Sequence, residues 1–220
     1  IPPNHQTVVR FDLSPKLRVM YRQFEDRAIL VLEEDEAVGV NAAVVRNKLL
    51  QIASGSVYGE KQTNLLDTAR YELVLDLIEQ RERSVVFFVW THQKEELIRQ
   101  AQKRGVSYAF IDGSVPVKRR NEIVAAYQNG FFKTLFLQPR TGAHGLTLTQ
   151  GTSTIWTSPI YQADFLKQGT HRIFRGGQTK RTETVLVQAN DTVERIVYAS
   201  LSRKGKKMQS FLDMLKESRG

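Results

Sequence analysis

Val85-Val86-Phe87-Phe88-Val89-Trp90 is the longest purely apolar run in this chain of 220 residues. A segment that is apolar at every successive position has no wet face, so it reads as a strand covered on both sides, as in a parallel sheet. It is far short of the roughly 20 residues needed to cross a bilayer. Upstream, Leu73, Val74, Leu77 and Ile78 recur at helical spacing and predict a helix over about Thr68 to Gln80. Downstream come a helix carrying Leu97, Ile98 and Ala101, a strand over Ser107 to Ile111 and a helix carrying Ile123, Val124 and Tyr127. A strand over Lys133 to Leu137, a Gly-rich loop, a strand over Thr154 to Thr157 and a helix through Phe165 follow. A strand over Thr184 to Gln188 then leads into a last long helix bearing Met208, Phe211, Leu212 and Leu215 on one face. Asp191 and Glu194 have the spacing of a capping box at its start. Strands alternating with helices of this length predict an α/β fold, a parallel sheet of about five strands with helices on both faces. In such folds ligands bind at the loops beyond the carboxyl ends of the strands.

Before residue 63 the pattern differs. A short strand is predicted within His5 to Leu13, followed by a helix that Ser14-Pro15 caps and starts and that runs to about Leu32. A second helix is expected over Asn41 to Ile52, with Ser54-Gly55-Ser56 and Gly59-Glu60-Lys61 as loops. Residues 1–62 are therefore expected to be a mainly helical extension and residues 63–220 the α/β domain. Ile1-Pro2-Pro3 has neither an initiator Met nor a signal-peptide pattern, so the chain is expected to start partway through a longer protein.

Composition narrows the chemistry. There is no Cys, which excludes a disulfide framework and a thiol nucleophile, and the four His are not at metal-ligand spacing. Lys and Arg number 32 against 23 Asp and Glu, a net charge of +9 that suits a polyanionic partner such as nucleic acid.

Three segments carry candidate chemistry. In Gln168-Gly169-Thr170-His171-Arg172-Ile173-Phe174-Arg175-Gly176-Gly177-Gln178, two arginines three apart on a helical segment lie on one face and can address one anion. The same spacing also occurs in plain solvated helix ends. In Gln138-Pro139-Arg140-Thr141-Gly142-Ala143-His144-Gly145, glycines allow close backbone approach to a phosphate, and Arg and Thr can donate to it. An ordinary strand-to-helix turn has similar composition. Trp90-Thr91-His92 and Ile111-Asp112-Gly113-Ser114 each end a strand with hydroxyl or backbone donors that suit a nucleic-acid backbone or a helix cap.

In order and spacing these segments resemble the C-terminal RecA-like lobe of superfamily-two helicase-like ATPases, in the Snf-type DNA-translocating branch. That family shows a strand ending in an aromatic and a Ser/Thr, a "DGS/T" turn, "aGGxGLNLt", "QAxxRxxRxGQ" and a "TxEExI"-like helix start. Here the matching segments are Val85 to Thr91, Ile111 to Ser114, Thr141 to Leu148, Gln168 to Gln178 and Thr192-Val193-Glu194-Arg195-Ile196. The resemblance covers residues 65–200 closely and the first sixty loosely. It implies that Arg172 and Arg175 complete an ATP site between two lobes, with Arg175 as the finger on the γ-phosphate and with Gln168 and Gly145 in the same nucleotide-binding set. It implies DNA-backbone contacts at Thr91, Gly113, Ser114, Arg140 and Thr141, with duplex DNA and a first RecA-like lobe as partners. Thr147 stands where the family has Asn, Ala143 and His144 replace small residues, and Gly176 replaces a β-branched residue.

The first lobe's parts, a phosphate loop GxxxxGKS/T and a DExx pair for magnesium, are absent from the sequence. Asp35-Glu36-Ala37-Val38 resembles a DEAx box, but no phosphate loop precedes it, and Gly59-Glu60-Lys61-Gln62-Thr63 follows no buried strand. ATP and Mg are thus expected to be held mainly by the other lobe, and the chain alone to be inactive. The tail is similar to phage and bacterial members, which implies the cytoplasm of a bacterial or phage-infected host. No membrane partner is expected. The alternatives are a non-catalytic nucleic-acid-binding α/β module and a self-contained small-molecule enzyme, for which a GxGxxG fingerprint is lacking.

Overall fold

The structure is a computed structural model that describes residues 1–34, 38–58, 63–141, 145–160, 162–202 and 211–219. Along the chain lie β1 (Asn4–Phe11), α1 (Pro15–Glu34), α2 (Val38–Ala53), β2 (Ser56–Tyr58), β3 (Thr63–Leu65) and α3 (Ala69–Glu79). Next come β4 (Ser84–Phe87), α4 (Thr91–Arg104), β5 (Tyr108–Ile111), α5 (Val117–Gln128), β6 (Thr134–Leu137) and β7 (Ser153–Trp156). The chain continues through α6 (Ala163–Thr170), β8 (Thr182–Ala189), α7 (Glu194–Ser202) and α8 (Phe211–Ser218).

A 6-stranded sheet runs in the order β1-β8-β7-β4-β6-β5. The pairs β4–β6, β4–β7, β5–β6 and β7–β8 are all parallel. Every residue of β4, β6 and β7 is buried, the polar Ser84, Thr134, Ser153 and Thr154 included, as in strands covered on both faces. After β4 the chain moves to one side of that strand, through β5 and β6; after β7 it moves to the other, to β8. The direction therefore reverses between the carboxyl ends of β4 and β7, the place where open α/β sheets form a ligand crevice. The sheet has one strand more than expected because β1 joins its edge, where Pro3 accepts from the Thr182 amide (3.4 Å). As an edge strand β1 is largely exposed and lacks the apolar run that marks the others.

By contacts the chain divides into two compact units, Ile1–Val9 with Tyr71–Val187, and Arg10–Arg70 with Gln188–Gly220. The first holds the β4–β7 core and its helices. The second packs Leu17, Tyr21 and Leu32 of α1 with Leu49 and Leu50 of α2, and adds α7 and α8. Within it the Tyr21 hydroxyl accepts from the Val193 amide (2.7 Å), and Arg70 pairs with the fully buried Glu194 at 2.5 Å. The anticipated capping box takes another form. Asp191 adopts φ of +53°, Thr192 Oγ1 accepts from the Glu194 amide (3.3 Å), and the Glu194 carboxylate turns to the Ala189 amide (2.8 Å) and Arg70. A buried guanidinium outcompetes the local cap for that carboxylate.

The last helix is seen as α7 and α8; Met208, with residues 203–210 between them, lies outside the described residues, as do residues 35–37, 59–62 and 142–144. Among the described residues no helix is long and apolar enough to cross a membrane.

Candidate functional site

The arginine segment begins on α6. Gly169 sits over the stacked rings of Phe87 and Trp156, whose centroids are 4.3 Å apart. A Cβ there would lie 2.6 Å from Trp156 Cζ2 and 2.9 Å from Phe87 Cζ, so only glycine lets the helix approach this closely. Beyond α6 the chain turns through Arg172, whose carbonyl accepts from the Leu148 amide (2.9 Å). Arg175 is half-buried, and its Nη1 donates to the Gly145 carbonyl at 3.4 Å. Two segments far apart in the chain, at Gly145 and at Arg175, are thus brought together. Gln168 lies exposed on α6, and Gly145 is exposed at φ of +75°.

Arg172 is the anomaly of this region. It is 7% exposed, and its buried Nε has no hydrogen-bond partner among the described residues. Burial, and then the charge of Arg175, hold its pKa below the ordinary arginine value. A desolvated guanidinium beside a second one is costly unless an anion completes the set. A phosphate fits, since it accepts several N–H donors at once. Among the described residues no group of three or more His, Cys, Asp or Glu stands together as a metal site.

The second set lies where strands β4, β5 and β6 end at one edge of the sheet. Thr91 is the exposed first residue of α4. Gly113 and Ser114 are exposed after β5, and Asp112 Oδ1 accepts from the Ser114 amide (2.9 Å) and hydroxyl (2.5 Å). Burial pushes the Asp112 carboxyl up, but Lys94 at 2.6 Å and the Ser114 donors outweigh this and hold it below the usual carboxylate range. After β6, Arg140 is exposed and Thr141 is buried, its hydroxyl donating to Gln138 Oε1 (3.2 Å). The same Oε1 accepts from the Gly113 amide at 3.2 Å, so one glutamine joins the loops after β5 and β6.

Comparison with known proteins bears on the fold and the family. The family described as helicase conserved C-terminal domain matches residues 69–177. A putative protein p41 of Acyrthosiphon pisum secondary endosymbiont phage 1 is 25% identical over 96% of this chain and 45% of its own length. The Mus musculus chromodomain-helicase-DNA-binding protein 1-like is 30% identical over 56% of this chain and 14% of its own. The C-terminal domain of the Sulfolobus solfataricus SWI2/SNF2 ATPase superposes with TM-score 0.68 at 15% identity, covering 91% of this chain and 86% of that one. The core of that ATPase in complex with dsDNA superposes with TM-score 0.71 at 19% identity, covering 91% of this chain and 44% of that one.

Residues 69–177 of the chain belong to the helicase C-terminal domain family. The chain spans less than half the length of the two curated relatives described. In this helicase lobe the alanine of the family's QAxxRxxRxGQ pattern is replaced by Gly169, and Trp156 beneath it gives the reason.

Three glutamines escaped the sequence reading as site residues. Gln93 accepts from the Val89 (2.8 Å) and Trp90 (3.3 Å) amides and donates to Ser158 Oγ (2.6 Å), tying the ends of β4 and β7 at the crevice. Gln138 joins the neighbouring loops, and Gln178 is buried within the arginine segment. Their partners are mostly backbone groups distant in sequence, which no spacing rule identifies. The one available signal is a polar amide just past an apolar strand, as in Leu137-Gln138.

Proposed function

We propose that this chain is the second motor lobe of an ATP-dependent Snf-type DNA translocase. The observation that carries the proposal is Arg172, buried, with no carboxylate partner among the described residues and with Arg175 as the charge that acts on it. Such a pair suits the γ-phosphate of ATP presented by a first RecA-like lobe. ATP, with Mg held mainly by that lobe, supplies the phosphoanhydride whose cleavage drives the motor. Arg175 donates to the developing charge and Arg172 fixes the phosphate's position, a contribution of about 10³ to 10⁵ in rate for arginine fingers. Gly145 stays bonded to Arg175, and Gln168 lies on the same face of the cleft.

The loops after β4, β5 and β6 present Thr91, Gly113, Ser114 and Arg140 to one strand's phosphates, with the buried Thr141 behind them. The positive charge adds a salt-sensitive, sequence-independent attraction to duplex DNA. The relative in a phage supports work in the cytoplasm of a bacterial or phage-infected cell. The sheet unit, Ile1–Val9 with Tyr71–Val187, belongs to the second lobe, and the helical part of residues 10–62 bridges from the first.

The test is ATP hydrolysis by the full-length protein and by residues 1–220 alone, each with and without duplex DNA. Duplex is expected to stimulate the full-length protein, and the lobe alone to show no turnover and weak, strongly salt-dependent binding. Turnover by residues 1–220 alone, or full-length turnover that ignores DNA, contradicts the proposal.

A further inference from the structure

The turn Leu148–Gly151 lies between two parts of the lobe and is gripped from both. Its backbone is closed by the Gly151 amide on the Leu148 carbonyl (2.9 Å). From α5, Gln128 Oε1 accepts from the Gln150 amide (3.0 Å) and Nε2 donates to Thr149 Oγ1 (3.1 Å). From the arginine segment, Gln178 Nε2 lies within 3.0 Å of the Thr149 and Gly151 carbonyls and 3.1 Å of the Ile173 carbonyl. Its Oε1 accepts from the Lys180 amide (2.9 Å), so this buried carboxamide is used at both ends. The turn has no slack. A Cβ on Gly151 would meet Tyr127 Oη of α5 at 2.8 Å and Ile173 Cγ2 at 2.8 Å.

The two ends of this arrangement reach the two candidate sites. At the start of α5, Arg120 Nε donates to the Val115 carbonyl (2.7 Å), just beyond Gly113 and Ser114. On the other side, the Leu148 amide is bonded to Arg172 and Arg175 is bonded to Gly145. A helix is stiff along its axis, so a shift of the Gly113 loop moves the far end of α5 rather than dissipating within it.

We infer that Gln128 and Gln178 are positioning residues that clamp the Leu148–Gly151 turn and so set the arginine pair in register with the loop at Gly113 and Ser114. This rests on the proposed function, in which those two places meet nucleotide and DNA. Neither glutamine touches a ligand; each acts through the turn. Misplacing a reacting group by about 1 Å costs on the order of 100-fold in rate, so a clamp of four or five hydrogen bonds has a large effect to control.

The experiment uses duplex-stimulated ATP hydrolysis by the full-length protein carrying Gln128→Ala, Gln178→Glu or both, with Arg175→Ala as the reference. Gln128→Ala, at a half-exposed position, is expected to lower the stimulated kcat about 2- to 30-fold. The KM for ATP and the melting temperature should stay at wild-type values, which a purely structural role would not produce. Gln178→Glu removes the donors and keeps the acceptor for Lys180, and should act in the same direction. The double variant should lose less than the product of the two, since both act on one turn. If Gln178→Glu fails to fold, Gln128→Ala alone decides. Unchanged stimulated kcat in Gln128→Ala, with Arg175→Ala inactive, overturns the clamp and leaves the proposed function standing. Full activity in Arg175→Ala instead overturns the function on which the clamp rests.

Discussion

Arg70 and Arg172 are both buried arginines, 2% and 7% exposed, and their surroundings are opposite. Arg70 meets Glu194 at 2.5 Å, donates to the Ala53 carbonyl (2.8 Å) and lies 4.8 Å from the Phe11 ring centroid. Around Arg172 no carboxylate pairs among the described residues, and the charge that acts on it is that of Arg175. Burying a charge is tolerated when the fold itself supplies the counter-charge, as around Arg70. Where the fold supplies no such charge, an anionic ligand would complete the set, as the proposed function has it. The same residue type thus separates architecture from function by its partners alone.

The comparison makes graded predictions for chemical denaturation of this chain. Arg70→Met should have the largest effect, a loss of about 3–5 kcal/mol, because it leaves Glu194 buried without a partner. A loss below about 1 kcal/mol would show that the pair is not what holds the second unit. Gly169→Ala should cost about 1–3 kcal/mol through overpacking on Trp156, and Gly169→Ala with Trp156→Phe should recover part of it. Full stability of the single variant would mean that α6 does not rest on those rings. Arg172→Met should have the smallest effect, no loss or a slight gain, since it removes a desolvated and unpaired charge. A loss approaching that of Arg70→Met would make Arg172 structural and dissolve the contrast.

The parallel core was legible in the sequence because strands buried on both faces carry short apolar runs, as in Val85–Phe87 and Leu135–Leu137. The alternation implied parallel strands but not their order in the sheet, and the two arginines stood out by spacing. Other features were illegible for physical reasons. The run Val85–Trp90 was read as one strand, yet β4 ends at Phe87. The Val89 and Trp90 amides are taken by the Gln93 side chain and so cannot extend the ladder. β1 was assigned to the helical extension because an exposed edge strand carries little apolar pattern. The Asp191–Glu194 spacing pointed to a local cap, while Glu194 was claimed by Arg70, 124 positions away in the chain. Pairings of that range leave no local trace.

The most direct measurement is the stimulated kcat of full-length Arg175→Ala, with its melting temperature as the folding control. An arginine that meets the γ-phosphate predicts a fall of about 10³- to 10⁵-fold at unchanged melting temperature. Turnover within about threefold of wild type would contradict the assignment of the arginine pair to ATP.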